Sequence, residues 1–145
     1  HGPGARIGVE EAEASAQSSE REVWGLVDAL IARDRAAAFR AYLELREQGE
    51  AVGRLVPLMV RRVREVHEVA ARLERDEPVQ QIKAEVGGNP WALDRRIAEA
   101  RRSDARSLGR ALETLADLEL QTRGMGDSSD DTATIRAIGR MTANA

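Results

Sequence analysis

The apolar residues of this chain recur every three or four positions, which is the spacing of an amphipathic α-helix. The longest such stripe lies within residues 51–75 and consists of Val52, Leu55, Val56, Met59, Val63, Val66, Ala70 and Leu73. The strict alternation of apolar and polar residues that predicts a half-buried strand is absent from the sequence. The pattern therefore predicts an all-α fold, a compact bundle of about six helices.

Capping and turn residues divide the apolar pattern into segments. Ser18 or Ser19 is suited to cap a first helix, and Asp34 is suited to cap a second. Gly49 follows the second helix as a stop signal, and Pro90 occupies the first position of a later helix. The predicted helices cover residues 19–32, 34–48, 51–75, 78–86, 90–102, 104–122 and 132–141.

Three details of the pattern carry further predictions. Pro57 is tolerated only in a first helical turn, so the third helix is expected to begin nearer Arg54 than Ala51. Residues 124–131, GMGDSSDD, are predicted to form a loop because of their Gly, Ser and Asp content. Leu120 is grouped with the apolar residues that face inward from the sixth helix.

The two ends of the chain differ from its middle. Residues 1–4, HGPG, contain no initiator methionine and resemble the remnant of an expression tag. Residues 5–17 are acidic and rich in alanine, and they are interpreted as the last part of a preceding element or a linker. Residues 18–145 are predicted to form the helical domain.

Composition and charge exclude several classes of protein. The 22 basic and 25 acidic residues give a net charge of −3, which argues against a protein that coats duplex DNA. Two stretches, 54–75 and 91–110, are nevertheless basic, with six arginines and three acidic residues each. The absence of cysteine excludes disulfides and thiolate sites. No apolar run could cross a membrane and no signal peptide is evident, so a cytoplasmic location is expected.

Known catalytic motifs are incomplete in this sequence. Lys83 is the only lysine and follows Ile82, so the Gly-Lys pair of a phosphate-binding P-loop is missing. The run HEVAA at 67–71 begins like a zinc-protease motif, but Ala71 stands where the second zinc ligand must be. His67 is therefore interpreted as a residue at the edge of the core. The sequence predicts no catalytic residue, no metal site and no cofactor.

Residues 79–97 leave two interpretations open: a helix-turn-helix that reads DNA, or a helical hairpin packed on the long third helix. Gly87 lies at the turn position, yet Lys83 stands where a small residue normally lets the two helices approach. Trp91 is an unusual residue for the tip of a helix in the major groove. The arginines that could reach phosphates are Arg95, Arg96, Arg101 and Arg102, and two acidic residues, Asp94 and Glu99, lie beside or between them in the sequence. DNA reading would require Arg95 and Arg96 to be exposed on one face.

Residues 23–50, VWGLVDALIARDRAAAFRAYLELREQGE, resemble the opening of the C-terminal domain of the bacterial DNA polymerase III delta subunit. The positions that follow that family's pattern are Leu26, Asp28, Ala29, Leu30, Arg33, Asp34, Ala37, Gly49 and Glu50. Residues 58–73 are similar to the long helix of the family. There Arg61 and Arg64 match, while Arg62 stands for the customary glutamine and Val63 for an aromatic residue.

The same resemblance extends to the C-terminal half. In residues 82–102 the matching positions are Ile82, Gly87, Pro90, Ala100 and Arg101, and Trp91 stands for the usual phenylalanine. The penultimate helix is similar at Leu108, Leu112, Asp117, Leu118 and Leu120, and it departs from the family at Gln121. The resemblance covers about residues 18–140 in the order and spacing of the family.

This resemblance implies a collar domain. Delta belongs to the clamp loader, an AAA+ pentamer that opens the ring-shaped sliding clamp and places it on primed DNA. Its collar packs helices against neighbouring subunits, so the implied partners are the tau/gamma and delta-prime subunits. The sliding clamp and primed DNA would be reached through the parent complex, part of the DNA polymerase III holoenzyme. Residues 5–17 would be the end of the preceding AAA+ lid domain, and this chain itself would not be catalytic.

Two groups of side chains are singled out for the collar role. Arginine is favoured at protein interfaces, so the arginine-rich faces are candidate subunit contacts: Arg61, Arg62, Arg64, Arg95, Arg101 and Arg102. The large apolar side chains are expected to anchor the fold: Trp24, Leu26, Phe39, Tyr42 and Trp91. In particular, Trp91 is expected to be buried and to hold the hairpin against the long helix.

Overall fold

The computed structural model describes residues 21–122 and 128–143, and these form helices joined by short turns. In chain order the helices are α1 (residues 21–32 of the described range), α2 (Arg35–Glu47), α3 (Val52–Glu74), α4 (Val79–Val86), α5 (Pro90–Arg102), α6 (Ala105–Thr122) and α7 (Ser128–Met141). Neither described range contains a strand, so the all-α prediction is confirmed. Within these ranges, none of the helices combines the length and the apolar character needed to cross a bilayer.

Helix α3 lies at the centre of the bundle, where it packs against α4, α5, α6 and α7. Its predicted apolar stripe faces inward, and the side chains at its middle are at most 1% exposed: Leu55, Val56, Met59, Val63 and Val66. Burial of each such side chain contributes about 1.5–3 kcal/mol relative to full exposure. The stripe read from the sequence is therefore the part of α3 that holds the other helices.

The turn between α1 and α2 is fixed by hydrogen bonds at both helix ends. The Asp34 N–H donates to the Ala29 carbonyl at 2.9 Å, and the Asp34 carboxylate accepts from the Ala37 N–H at 3.1 Å. The second bond caps α2, as predicted. Arg33, between the two helices, has a φ of +58°, which lies in the left-handed region that normally favours glycine.

The predicted start of α3 is wrong. The helix begins at Val52 with Ala51 as its N-cap, so Pro57 lies inside the helix rather than in its first turn. Proline has no N–H, and the Gly53 carbonyl therefore lacks the usual partner four residues later. The buried residues on both sides of the proline compensate, because Leu55, Val56 and Met59 are fully buried.

The predicted end of the last loop is also wrong. Helix α7 begins at Ser128, not at residue 132, and it places Asp130 and Asp131 in its first turn. Acidic side chains are favoured there because the helix N-terminus carries partial positive charge. The residues that suggested a loop thus form a helix start, while residues 124–127 lie outside the described ranges.

Leu120, expected to face inward, is instead 69% exposed, because it lies on the side of α6 opposite to the buried Leu118.

Helices α4 and α5 form a hairpin packed on α3. Gly87 and Gly88 make the turn with φ values of +65° and +96°, a conformation open to glycine at little cost. The Asn89 side chain then accepts from the Trp91 N–H at 2.8 Å and caps α5. Ile82 of α4 is fully buried. Of the two interpretations of this region, the structure shows the hairpin packed on the long third helix.

Candidate subunit interface

The two tryptophans form the centre of a cluster of side chains between α1, α3 and α5. Trp24 is fully buried, and its ring meets the Trp91 ring edge-on, with centroids 6.4 Å apart and planes at 85°. The Arg62 guanidinium lies 5.4 Å from the centre of the Trp24 ring, and the Arg21 guanidinium lies 5.3 Å from that of Trp91. Such cation–π contacts stabilise by about 0.5–2 kcal/mol, depending on how dry they are.

This cluster corrects two predictions. Trp91 is 37% exposed, so it is not the buried anchor that was expected. Its position at the start of α5 leaves one side of the ring at the surface, while the other side contacts Trp24. Arg62 is only 9% exposed and lies against Trp24, so it serves the fold and is not available to a neighbouring subunit. Among the other expected anchors, Leu26 and Tyr42 are fully buried, and Phe39 packs on α7 at Gly139.

The two arginines needed for DNA reading are used inside the domain. Arg95 of α5 forms an ion pair with Asp28 of α1, and Arg96 forms one with Glu65 of α3 at 2.9 Å. Both arginines are half-buried. Both charges are thus compensated by carboxylates of other helices, and neither is free to approach a phosphate. The structure therefore gives no support to the helix-turn-helix interpretation, and the subunit contact expected for Arg95 stays a prediction.

A buried carboxylate lies between Arg95 and a second predicted arginine, Arg102. Glu99 is fully buried, and its carboxylate lies 3.3 Å from Arg102 and 3.8 Å from Arg95. Burial raises the pKa of Glu99, while the Arg102 and Arg95 charges oppose that rise. Arg102 remains exposed apart from this contact.

Besides Arg102, three of the predicted interface arginines lie at the surface: Arg61 and Arg64 on α3, and Arg101 at the end of α5. Within the described ranges, none of these three forms an ion pair with another residue, whereas Arg62, Arg95 and Arg102 each do. Exposed guanidinium groups without an internal partner can form bidentate hydrogen bonds with carboxylates of another chain. These three arginines are the candidate interface of the domain.

Comparison with known proteins identifies the family of the chain. The family model of the DNA polymerase III delta subunit, C-terminal domain, matches residues 20–130, which is most of the chain. The chain belongs to this family. None of the curated proteins matches it.

The fold of the delta C-terminal domain is shared with a solved structure. The delta protein of the Bacillus subtilis DNA clamp loader superposes with a TM-score of 0.75 at 16% sequence identity. The match covers 86% of this chain and 36% of that protein, so this chain spans about a third of its length. At this identity the likeness shows the fold, and family membership rests on the match of the family model.

In this delta C-terminal domain, a polar clamp joins α2 to the start of α7. Asp131 accepts a 2.5 Å hydrogen bond from the Tyr42 hydroxyl and binds Arg46 through both oxygens, at 2.8 and 3.0 Å. Arg46 holds the pKa of Asp131 below its usual value. Burial, together with the bond to Asp131, raises the pKa of Tyr42. Sequence reasoning found Tyr42 as a core residue but missed its polar partners, because Asp131 was placed in a loop.

A second feature of the domain was missed altogether. A cavity of about 270 Å³ lies between α1, α3, α6 and α7, with an apolar floor that includes Leu30, Val63 and Leu108. Arg33, Arg110 and Arg140 line its edge. These arginines come from three distant parts of the sequence, so no local motif signals the site. Arg33 entered the sequence analysis only as one position of the family pattern.

The described ranges contain no candidate metal site. No group of three or more His, Asp or Glu side chains there is placed to hold a metal ion. His67 lies near Gly109 of α6, with its Nε2 3.8 Å from where a side chain at that glycine would begin. It therefore lies at the contact between α3 and α6.

Proposed function

We propose that this chain is the collar domain through which a DNA polymerase III delta subunit packs against neighbouring subunits of a clamp loader. The observation that carries the proposal is the set of three exposed arginines, Arg61, Arg64 and Arg101, without ion pairs among the described residues. Family membership over residues 20–130 supports the same role.

The physical basis of the proposal is a rigid helix that presents charge. Arg61 and Arg64 are three residues apart on α3, so their side chains leave neighbouring points of the same helix surface. The opposite surface of α3 is fixed by the core, so the backbone positions from which the two arginine side chains extend are held at a constant spacing. Such a pair suits recognition of carboxylates on a helix of an adjacent subunit.

The partners that we propose are clamp-loader subunits of the tau/gamma and delta-prime type. Sliding clamp and primed DNA would be contacted by the parent complex, a component of the DNA polymerase III holoenzyme, and not by this domain. Residues 5–17 would belong to the end of the preceding AAA+ lid domain, and residues 18–145 would form the collar. The role is positional, without catalysis by the domain, and its proposed location is the cytoplasm.

Sedimentation velocity tests this role. This chain is mixed with purified tau/gamma and delta-prime subunits of the same organism at about 0.15 M salt, where long-range charge effects are screened. We expect a complex of defined stoichiometry. The double variant Arg61→Glu with Arg64→Glu is expected to bind about tenfold more weakly or worse, since each reversal places like charges together.

The matched control is Arg40→Glu, which reverses an exposed arginine of α2 away from the proposed surface. It should leave the complex unchanged. Failure of the chain to join the complex, or equal loss of binding in the Arg40 control, contradicts the proposal. A parallel titration with duplex DNA addresses the helix-turn-helix alternative, which requires tight binding that weakens steeply as salt is raised.

A further inference from the structure

The cavity between α1, α3, α6 and α7 has the size of a single side-chain site. Its volume of about 270 Å³ is slightly below the lower end of typical small-molecule pockets, which begin at about 300 Å³. Leu30, Val63 and Leu108 on its floor are at most 5% exposed, while Met141 is half-buried beside them. This floor suits one apolar side chain, such as leucine or phenylalanine.

The edge of the cavity carries positive charge only. Arg33, Arg110 and Arg140 are exposed, and the residues that line the cavity include no aspartate or glutamate. None of these three arginines forms an ion pair with another residue in the described part of the chain. Three guanidinium groups around one opening repel one another, so a bound anion would relieve that repulsion.

Asp104, the acidic residue that directly precedes α6, already has hydrogen-bond partners. Its carboxylate accepts hydrogen bonds from the Ser107 N–H at 2.7 Å and the Ser107 hydroxyl at 3.1 Å. These bonds cap α6, and they are the main reason that the pKa of Asp104 is lowered, with a smaller contribution from the Arg110 charge. The carboxylate therefore serves the helix end, and it does not line the cavity.

The backbone at Arg33 places this side chain at the edge of the cavity. This residue ends α1 with a φ of +58°, in a region where an L residue is less stable than glycine. Glycine would make the turn more easily but would remove the side chain from the edge of the cavity.

We propose that this cavity, here called the arginine-edged pocket, binds an acidic peptide segment of a partner protein. One apolar side chain of the segment enters the pocket, and carboxylates that flank it pair with Arg33, Arg110 and Arg140. Arginine suits this role because its planar guanidinium binds carboxylates in bidentate fashion. The residues that line the pocket include no aromatic ring on which a base could stack, which disfavours a nucleic acid as the occupant.

The site is distinct from the proposed subunit contact, since none of Arg61, Arg64 and Arg101 lines it. Loss of clamp-loader assembly would therefore leave peptide binding intact, and loss of peptide binding would leave assembly intact. The two proposals can fail separately.

Fluorescence anisotropy with labelled peptides tests the pocket on the whole chain. The probes are Glu-Asp-X-Asp-Glu, with leucine, isoleucine or phenylalanine at X. Two control peptides replace either all four acids by their amides or the central residue by glycine. We expect at least one apolar probe to bind and saturate, and both control peptides to bind about tenfold more weakly or worse.

The variant Arg33→Gly is the decisive test because it removes one charge while relaxing the backbone. We expect about tenfold weaker binding of the apolar probe with a urea midpoint no lower than that of the unmodified chain, so lost binding cannot be attributed to misfolding. Arg110→Gln should weaken binding in the same way, and Arg40→Gln, an exposed arginine outside the pocket, should not.

Several results would overturn the proposal. They are absence of binding by all three apolar probes, equal binding of the control peptides, and undiminished binding by Arg33→Gly. Displacement of the probe by a single-stranded oligonucleotide would instead identify a nucleic-acid site. A dimer of the chain that dissociates when Arg33→Gly is introduced would identify a second copy as the occupant.

Discussion

The clamp between α2 and α7 leads to a prediction whose magnitude follows from its geometry. Asp131 is the only hydrogen-bond acceptor recorded for the buried Tyr42 hydroxyl in the described ranges, and it also binds Arg46 through both oxygens. The substitution Asp131→Ala removes all three contacts and one acidic group from the first turn of α7. It keeps the Cβ in place, and alanine offsets part of the loss because its intrinsic helix propensity is higher than that of aspartate by up to about 0.7 kcal/mol.

The expected loss is about 1–2 kcal/mol of unfolding free energy. A buried hydroxyl without an acceptor costs about 1–3 kcal/mol, and the nearby Thr134 hydroxyl keeps this contribution near the lower end. Arg46 and Asp131 are each about one-third exposed. Their ion pair is screened by water and adds only about 0.5–1 kcal/mol. Loss of the favourable charge at the helix N-terminus supplies a few tenths more.

Urea unfolding, followed by circular dichroism, measures this loss. With a slope of about 2 kcal/mol per molar urea, the midpoint should fall by about 0.5–1 M. Tyr42→Phe alone should cost about 1 kcal/mol, and Asp131→Ala should cost correspondingly less in that background. A midpoint change of less than about 0.3 M, or costs that simply add, would refute the clamp as described.

The pH dependence of stability provides a second test of the clamp. Because the folded state lowers the pKa of Asp131, the clamp contributes fully above the unfolded pKa of about 3.9 and is lost as the pH falls through the lower folded value. The cost of Asp131→Ala should therefore shrink in acid. The raised pKa of Tyr42 acts at the other end, and its contribution is lost as the pH rises above about 10.

Three further predictions concern single residues. Glu99→Gln should improve stability more at pH 8 than at pH 4, as measured by thermal unfolding. The reason is that burial raises the pKa of Glu99, so the stability that depends on its neutral form is lost as the pH rises. Equal changes at both pH values would contradict this. Acrylamide should quench Trp91, which is 37% exposed, and spare the buried Trp24, so Trp91→Phe should abolish most quenching and Trp24→Phe should not. Arg33→Gly should raise the unfolding free energy by up to about 1 kcal/mol, since glycine adopts positive φ more easily, and a lower urea midpoint would contradict this reasoning.

The local pattern of the sequence was sufficient to predict most of the helices. The apolar stripe of α3 and the cap at Asp34 depend on residues within a few positions of one another, and both are found as predicted. The start of α7 was missed because serine and aspartate are equally suited to loops and to the first turn of a helix. Only the tertiary contact with α2, through Asp131, distinguishes the two.

The candidate site was less predictable because charged side chains reveal their partners only in three dimensions. Arg62 and Arg64 are two positions apart in one basic run, yet the first lies on Trp24 and the second is exposed. The sequence predicted Arg95 to be a surface residue, but in the structure it forms an ion pair with Asp28 of α1. The arginine-edged pocket needs the relative placement of four helices, which no spacing in the sequence encodes.

The clamp also bears on how the domain is made. Arg46 and Asp131 are 85 residues apart in the sequence. At about 5–20 residues per second, the ribosome completes that interval in about 4–17 s. Throughout this time Tyr42 lacks its acceptor, and the surface of α2 that α7 will cover lacks its partner. A nascent chain that stalls before residue 128 would therefore present an unfinished apolar surface to chaperones and proteases, and synthesis of the last helix ends that exposure.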